Sequence, residues 1–312
     1  MTTLTHATAV LPTQQIKKGL TSWEFWGRIL LIPYALLFLI FVLYPVGYGL
    51  WLASNPSSYV KLFDDPIFYR TVVNTVIFLV VGINLKMLLA LFLSGFFVHN
   101  RTWIKWLSLI FILPWAVPSI PTILSMRFML NPEWGVINTL IFKLTGTDGP
   151  NWLNDPTLAL SLSILAHTWK SLPFWTLILV AARLAIPTEQ YEAASVDGAT
   201  NWQKFKYISW PSLKTVYLTS TLLSTIWSLG DFNSVYLLTG GGPADLTHVL
   251  ATLGIRYLRL DQIDLAMASI VVALPMMLPL VYLMMKIIKQ IHNGPGILNV
   301  KDAFPSMQGS DF

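Results

Sequence analysis

Glu189-Gln190-Tyr191-Glu192-Ala193-Ala194-Ser195-Val196-Asp197-Gly198-Ala199, continuing to Phe205, Ile208 and Pro211, is a water-soluble stretch set between two long apolar segments. Pro187 stops the incoming helix by lacking an N–H and restricting its neighbour. Thr188 to Val196 contains good helix formers, with Glu189 and Glu192 early, where carboxylates suit the helix dipole. Gly198 sits where a left-handed helix stop is expected. Thr200 with Gln203 fits a capping box for a second short helix carrying Trp202, Phe205, Tyr207 and Ile208, which Pro211 is expected to close. The product is a helix–turn–helix elbow with an aromatic knob. An amphipathic loop lying on lipid headgroups is the plainer alternative.

Outward from the elbow the chain is built for lipid. It is 54% hydrophobic and 11% charged, against about 25% charged in a soluble domain. Apolar stretches suggest six spans at about 29–52, 71–97, 104–129, 157–185, 214–237 and 264–288, each able to cross a hydrocarbon core of roughly 30 Å. The expected organisation is a cytoplasmic N-terminal tail (1–28), a six-span membrane domain (29–290) with the elbow at about 187–212, and a cytoplasmic C-terminal tail (291–312). The first span exceeds a signal-peptide core and reads as retained, although Leu52-Ala53-Ser54 has the form of a cleavage site. Prolines at positions 33, 45, 114, 118, 121, 173, 275 and 279 predict kinks.

Charge sets orientation. Lys17, Lys18, Arg28, Arg101, Lys105, Arg183, Lys204, Lys206, Lys214, Lys286, Lys289 and Lys301 fall on the face holding the termini. Lys61, Arg70, Lys143, Arg256 and Arg259 fall opposite. Basic residues favour the cytoplasm, so termini and elbow of a multi-pass protein are expected there. Trp23, Trp26, Trp103 and Trp106 read as interfacial belts. There are no cysteines, which excludes thiolate chemistry and disulfides. No Gly-x-x-x-x-Gly-Lys-Ser/Thr loop, His-Glu-x-x-His motif or Gly-x-Ser-x-Gly elbow occurs, so catalysis by this chain alone is not expected.

Glu192-Ala193-Ala194-x-x-Asp197-Gly198-Ala199, then Phe205, Ile208 and Pro211, resembles the EAA loop of bacterial ABC-transporter permease subunits. Trp210 departs from that pattern, which usually has leucine there. Trp169-Lys170-Ser171-Leu172-Pro173-Phe174 and Phe232-Asn233-x-x-Tyr236-Leu237-Leu238-Thr239-Gly240-Gly241-Gly242-Pro243 are similar to its maltose/trehalose/glycerol-phosphate branch, and to the maltose-permease-F-like member of a permease pair. The resemblance implies an all-α, six-helix importer fold, multi-pass in a bacterial cytoplasmic (inner) membrane, with the elbow as coupling helix. It also implies a second permease subunit, two copies of a cytoplasmic ATPase that bind ATP and magnesium, and an extracytoplasmic sugar-binding protein. No cofactor is implied in this chain itself, and the expected cargo is an oligosaccharide, disaccharide or polyol. A secondary, ion-coupled transporter is the alternative.

Ionisable residues within spans are functional suspects because burying them costs about 2.5–3.5 kcal/mol even on insertion scales. Trp169, Lys170, Asp231, Asn233 and Tyr236 are the expected substrate path, with Lys86 a weaker candidate and His167 read as a helix–helix hydrogen bonder. Structural pairing of Lys170 with Asp231, or snorkelling of Lys170, is the alternative. Asn131-Pro132-Glu133-Trp134-Gly135 and the glycine run at 240–242 are candidate external contacts.

Overall fold

Asn55-Pro56, Asp65-Pro66 and Asp155-Pro156 start three helices by one device. A short polar side chain accepts the free N–H groups of the first turn, and a proline occupies the position whose N–H would otherwise be unpaired. In the computed structural model, which describes residues 22–292, the Asp65 carboxylate accepts from the Ile67 N–H at 2.8 Å. Asp155 accepts from Thr157 at 2.9 Å and Leu158 at 2.8 Å. These caps move two expected boundaries outward, to Pro66 from 71 and to Pro156 from 157.

In chain order the described residues form α1 (Ser22–Phe38), α2 (Tyr44–Leu52), α3 (Pro56–Asp64), α4 (Pro66–Phe97), α5 (Thr102–Ala116), α6 (Ser119–Met129), α7 (Val136–Thr145) and α8 (Pro156–Leu184). These are followed by α9 (Thr188–Val196), α10 (Asn201–Lys204), α11 (Trp210–Leu229), α12 (Asn233–Thr239), α13 (Leu250–Arg259), α14 (Ile263–Val271) and α15 (Ala273–His292). No strand occurs among the described residues. The chain divides at Trp51/Leu52 into two compact units. In the first, α1 begins at Ser22, inside the tail expected to run to residue 28. The rest of both expected tails lies outside the described residues.

Ile29–Leu52, Pro66–Phe97 and Pro156–Leu184 are each long and apolar enough to cross a bilayer. The expected third span is not one helix: α5 and α6 meet at a bend of 93°. Pro118 supplies no N–H and forces Val117 into an extended conformation (φ −73°, ψ 139°), so the helical ladder ends there. The expected fifth span is likewise broken, α11 ending at Leu229 and α12 beginning at Asn233. The expected sixth is divided between α14 and α15 at Val272.

Two wide π turns, Leu39–Leu43 and Phe205–Ser209, each precede an aromatic–proline pair, Tyr44-Pro45 and Trp210-Pro211. In each the aromatic N–H reaches back five residues, to Leu39 and Phe205. A wider turn makes room for the proline ring and keeps the helix continuous. Pro211 therefore does not close the second elbow helix. It sits in the first turn of α11, and the chain stays helical from Asn201 to Leu229.

In the second unit α4 packs along α8 through Leu79, Ile83, Met87 and Ala90 against Trp175 and Leu179, all buried. The segment between the expected fifth and sixth spans, 238–263, holds α13, whose Leu250, Leu253 and Tyr257 are buried with Leu62 and Phe68. Asp65 fastens it, accepting from Arg256 at 2.7 Å and from the Tyr257 hydroxyl at 3.0 Å. Burial pushes the Asp65 carboxyl up, but the Ile67 N–H, the Tyr257 hydroxyl and Arg256 together hold it below its usual range.

Candidate functional site

The two helix breaks face each other across α8 and frame a cavity of about 530 Å³. Trp115, Val117 and Ser119 come from the α5/α6 break, and Trp227, Asp231, Phe232 and Asn233 from the α11/α12 break. Irregular backbone at membrane depth is tolerated only where it is buried in protein or lines a cavity, so breaks and cavity belong together. Lys170, from α8, donates to the Pro114 carbonyl at 3.0 Å and the Val117 carbonyl at 2.6 Å, the acceptors freed by the bend. Asp231 caps α12 by accepting from the Ser234 N–H at 3.3 Å.

Behind this cavity runs a polar chain across three helices. Lys86 on α4 donates to His167 Nε2 at 3.0 Å and to Ser228 Oγ at 3.3 Å. With Nε2 accepting, the ring proton sits on Nδ1, which donates to Asp231 Oδ2 at 2.5 Å. Lys86 is 1% exposed and does not line the cavity; His167 and Asp231 do. Every charged member has a partner, as low dielectric demands. The Ser and Thr hydroxyls of α11 at positions 220, 224, 225 and 228 are buried, which explains a membrane helix of modest hydropathy.

Of the expected path residues, Lys170, Asp231 and Asn233 share this cavity. Trp169 does not: one position along α8 is about 100° of rotation, and its side chain lines two apolar cavities on another face. Tyr236 lines a separate distal cavity with Arg127, Asp245 and Arg259. Sequence reasoning missed Trp115 and Trp227, which sit with Phe174 in an aromatic wall at centroid spacings of 5.5 Å. Their signal was present: each lies next to a break, one beside a proline pair and one three residues before Gly230.

At the far end of α11 is the elbow. α9 ends at Gly198 (φ +75°), where the Gly198 N–H bonds the Ser195 carbonyl at 3.1 Å and the Ala199 N–H bonds Ala194 at 2.9 Å. The capping box forms, Thr200 N–H to Gln203 Oε1 at 2.7 Å and Gln203 N–H to Thr200 Oγ1 at 3.3 Å. Tyr191 and Ser209 hydroxyls, 2.9 Å apart, and Lys204 to Ser195 Oγ at 2.7 Å tie the two arms. Glu192, Ala193, Asp197 and Gly198 are exposed together with Val196 (88%) and Trp202 (69%), an apolar tip turned outward. Ala194, Ala199, Phe205 and Ile208 are half-buried and Pro211 is exposed. Arg183 joins the elbow to the bundle. It donates to Ser94 Oγ at 2.7 Å and the Leu91 carbonyl at 3.2 Å on α4, and its guanidinium lies 5.9 Å from the Phe205 ring centre.

Comparison with known proteins agrees with this architecture. The family model described as binding-protein-dependent transport system inner membrane component matches residues 86–292. A sulfoquinovosyl glycerol transport system permease protein of Agrobacterium fabrum is 33% identical over 295 residues, covering 86% of this chain and 94% of the relative. A trehalose/maltose transport system permease protein of Thermococcus litoralis is 29% identical over 274 residues, covering 84% and 92%. The fold is shared with a chain of a bacterial ABC transporter involved in import of the acidic polysaccharide alginate, with TM-score 0.72 at 25% identity over 85% of this chain and 96% of that one. The all-α importer permease fold and the multi-pass membrane character expected from the sequence are thus shown, and the chain belongs to the binding-protein-dependent transport system inner membrane component family.

Proposed function

We propose that this chain is one of two permease subunits of an ATP-driven importer and that its cargo is a carbohydrate. The observation that carries the proposal is the continuous helix from the elbow to the cavity. Asn201 to Leu229 is an uninterrupted helical run, roughly 40 Å long at 1.5 Å per residue. A push on the elbow is delivered at Gly230–Phe232, the break that lines the cavity. Relatives described as trehalose/maltose, sulfoquinovosyl glycerol and lactose permeases support the carbohydrate class. So does the aromatic wall of Trp115, Phe174 and Trp227, whose faces suit sugar rings.

In this account Glu192, Ala193, Ala194, Asp197, Gly198 and Ala199 meet a cytoplasmic ATPase, one for each permease. Phe205, Ile208 and Pro211 fix the second arm to α11. ATP and magnesium belong to the ATPase, and an extracytoplasmic binding protein delivers the sugar. The elbow and both termini face the cytoplasm, in line with the basic residues near them. Closure of the paired ATPases swings α11 and changes the cavity from one accessibility to the other, a rigid-body transition between packed states.

The ion-coupled alternative would place its proton on the Asp231–His167–Lys86 chain, since hydrogen-bonded carboxylate–histidine chains serve as proton relays. The transport-system permease relatives favour the ATP-driven reading. Uptake in vesicles separates the two. Uptake that collapses on ATP depletion and survives loss of the proton gradient supports the proposal; the opposite pattern overturns it.

A further inference from the structure

Charge along the path is unevenly compensated. In the cavity at the helix breaks, Asp231 is held by His167 with Lys86 behind it. Lys170 donates to backbone carbonyls, which satisfy its hydrogen bonds; among the described residues no carboxylate lies within ion-pair reach, and Asp231, which acts on it at longer range, is shared with Lys86. The distal cavity, about 470 Å³, repeats the asymmetry. Its carboxylate, Asp245, accepts from Arg256 Nε at 3.0 Å and lies 3.4 Å from His248 Nε2. Its two lining guanidiniums, Arg127 and Arg259, have no carboxylate within ion-pair reach among the described residues. Arg259 is held in place all the same. It donates to the Tyr236 hydroxyl at 3.0 Å and lies over the Tyr236 ring at 5.5 Å.

One turn of helix connects the two cavities. Phe232 and Asn233 line the first, Tyr236 and Thr239 the second, and the Phe232 and Tyr236 rings stack at 4.5 Å. A sugar ring moving along that aromatic face passes Arg259 and Arg127 and then Lys170. Arg offers a planar pair of donors that fits carboxylate, sulfate and sulfonate oxygens.

Resting on the carbohydrate import proposed above, we propose that the path takes an anionic saccharide, whose acidic group is held by Arg127 and Arg259 in the distal cavity. A neutral sugar would leave Arg127 and Arg259 without a counter-charge and Lys170 only partly compensated. An acidic sugar matches them, and the like-charged path repels cationic solutes.

The test uses the complete transporter, permease pair with ATPase and binding protein, in proteoliposomes. Arginine modification by phenylglyoxal is followed residue by residue by mass spectrometry, with glucuronate, inorganic sulfate or glucose present. Glucuronate and sulfate should slow modification of Arg127 and Arg259 several-fold and leave Arg101 unaffected, and glucose should not. Equal protection by glucose, or no protection by either anion, overturns the proposal. In parallel, ATP-driven uptake is read from a mixed library of neutral and acidic oligosaccharides. The imported set should be acidic, and each of Arg127→Gln and Arg259→Gln should cut uptake about tenfold, the effect of losing one charge-assisted hydrogen bond. Arg127→Lys and Arg259→Lys should recover part of it. ATP-driven uptake of neutral sugars alone refutes the acidic class and leaves the import function standing. Absence of any ATP-driven uptake refutes the import function, while the modification rates still decide the anion site.

Discussion

Replacing Arg183 by methionine should separate ATP hydrolysis from transport. Arg183 lies in the last turn of α8, donates twice to α4, and places its guanidinium near the Phe205 ring of the elbow. Charge-assisted hydrogen bonds contribute about 1.5–3 kcal/mol each, and a cation–π contact at this range about 0.5–1 kcal/mol. Ser94 keeps its own bond to the Leu91 carbonyl at 2.7 Å, so the hydroxyl is not stranded and the net loss lies near the low end, about 3 kcal/mol. Methionine fills the space without the fork. Only the cation–π contact is made to the elbow, so elbow docking itself loses about 0.5–1 kcal/mol, roughly two- to fivefold between firm and loose elbow, and the rest loosens α8 on α4. The assay is sugar transported per ATP hydrolysed in proteoliposomes. Arg183→Met should keep substantial hydrolysis while that ratio falls about two- to fivefold, and Arg183→Lys should recover part of it. An unchanged ratio in Arg183→Met would refute the role of this contact in transmission.

Other outcomes follow from the same geometry. Gly198→Ala puts a side chain at φ +75°, costing about 1–2 kcal/mol of backbone strain with no atom within 4 Å to clash, so it should weaken ATPase binding measurably. Gly198→Asn should do less harm, and full ATPase affinity in the alanine variant would count against the elbow geometry. Asp231→Ala strands the His167 Nδ1–H in a buried site and should cost about 2–4 kcal/mol in thermal unfolding as well as most uptake. Asp231→Asn should restore part of both, and unchanged unfolding in Asp231→Ala would show the polar chain to be dispensable. Asp65→Asn should lower the melting temperature at neutral pH. Because the folded Asp65 carboxyl titrates below its ordinary value of 3.8, its contribution is complete above that value and fades as pH falls further. The gap between wild type and variant should therefore close in strong acid, and a gap independent of pH would contradict the pairing with Arg256.

Local signals carried much of this fold in the sequence, and helix continuity did not. Gly198 and the Thr200/Gln203 box located the elbow because each needs only a few neighbouring residues. The Asp65-Pro66 and Asp155-Pro156 caps were equally local, yet hydropathy placed the starts later, because the first turn of each helix is less apolar than its middle. The cavity was hidden for a different reason. Hydropathy reports what a side chain prefers to touch, and Val117-Pro118 and Gly230–Phe232 are as compatible with a continuous span as with a break. The partners that decide it, Lys170 on the freed carbonyls and Asp231 on α12 and His167, are distant in sequence. Pro211 misled in the opposite direction, since a π turn keeps the helix running where a proline suggests an end.

The central claim is that the elbow and α11 move as one lever and that this movement reshapes the cavity. The chain has no cysteine, so paired spin labels are placed cleanly. Distances are measured in the complete transporter, with and without a non-hydrolysable ATP analogue, for Trp202→Cys paired with Leu223→Cys and for Ser119→Cys paired with Asn233→Cys. The account predicts that the first distance, along the lever, stays constant while the second, across the cavity, changes. A first distance that changes with nucleotide, or a second that does not, would contradict it.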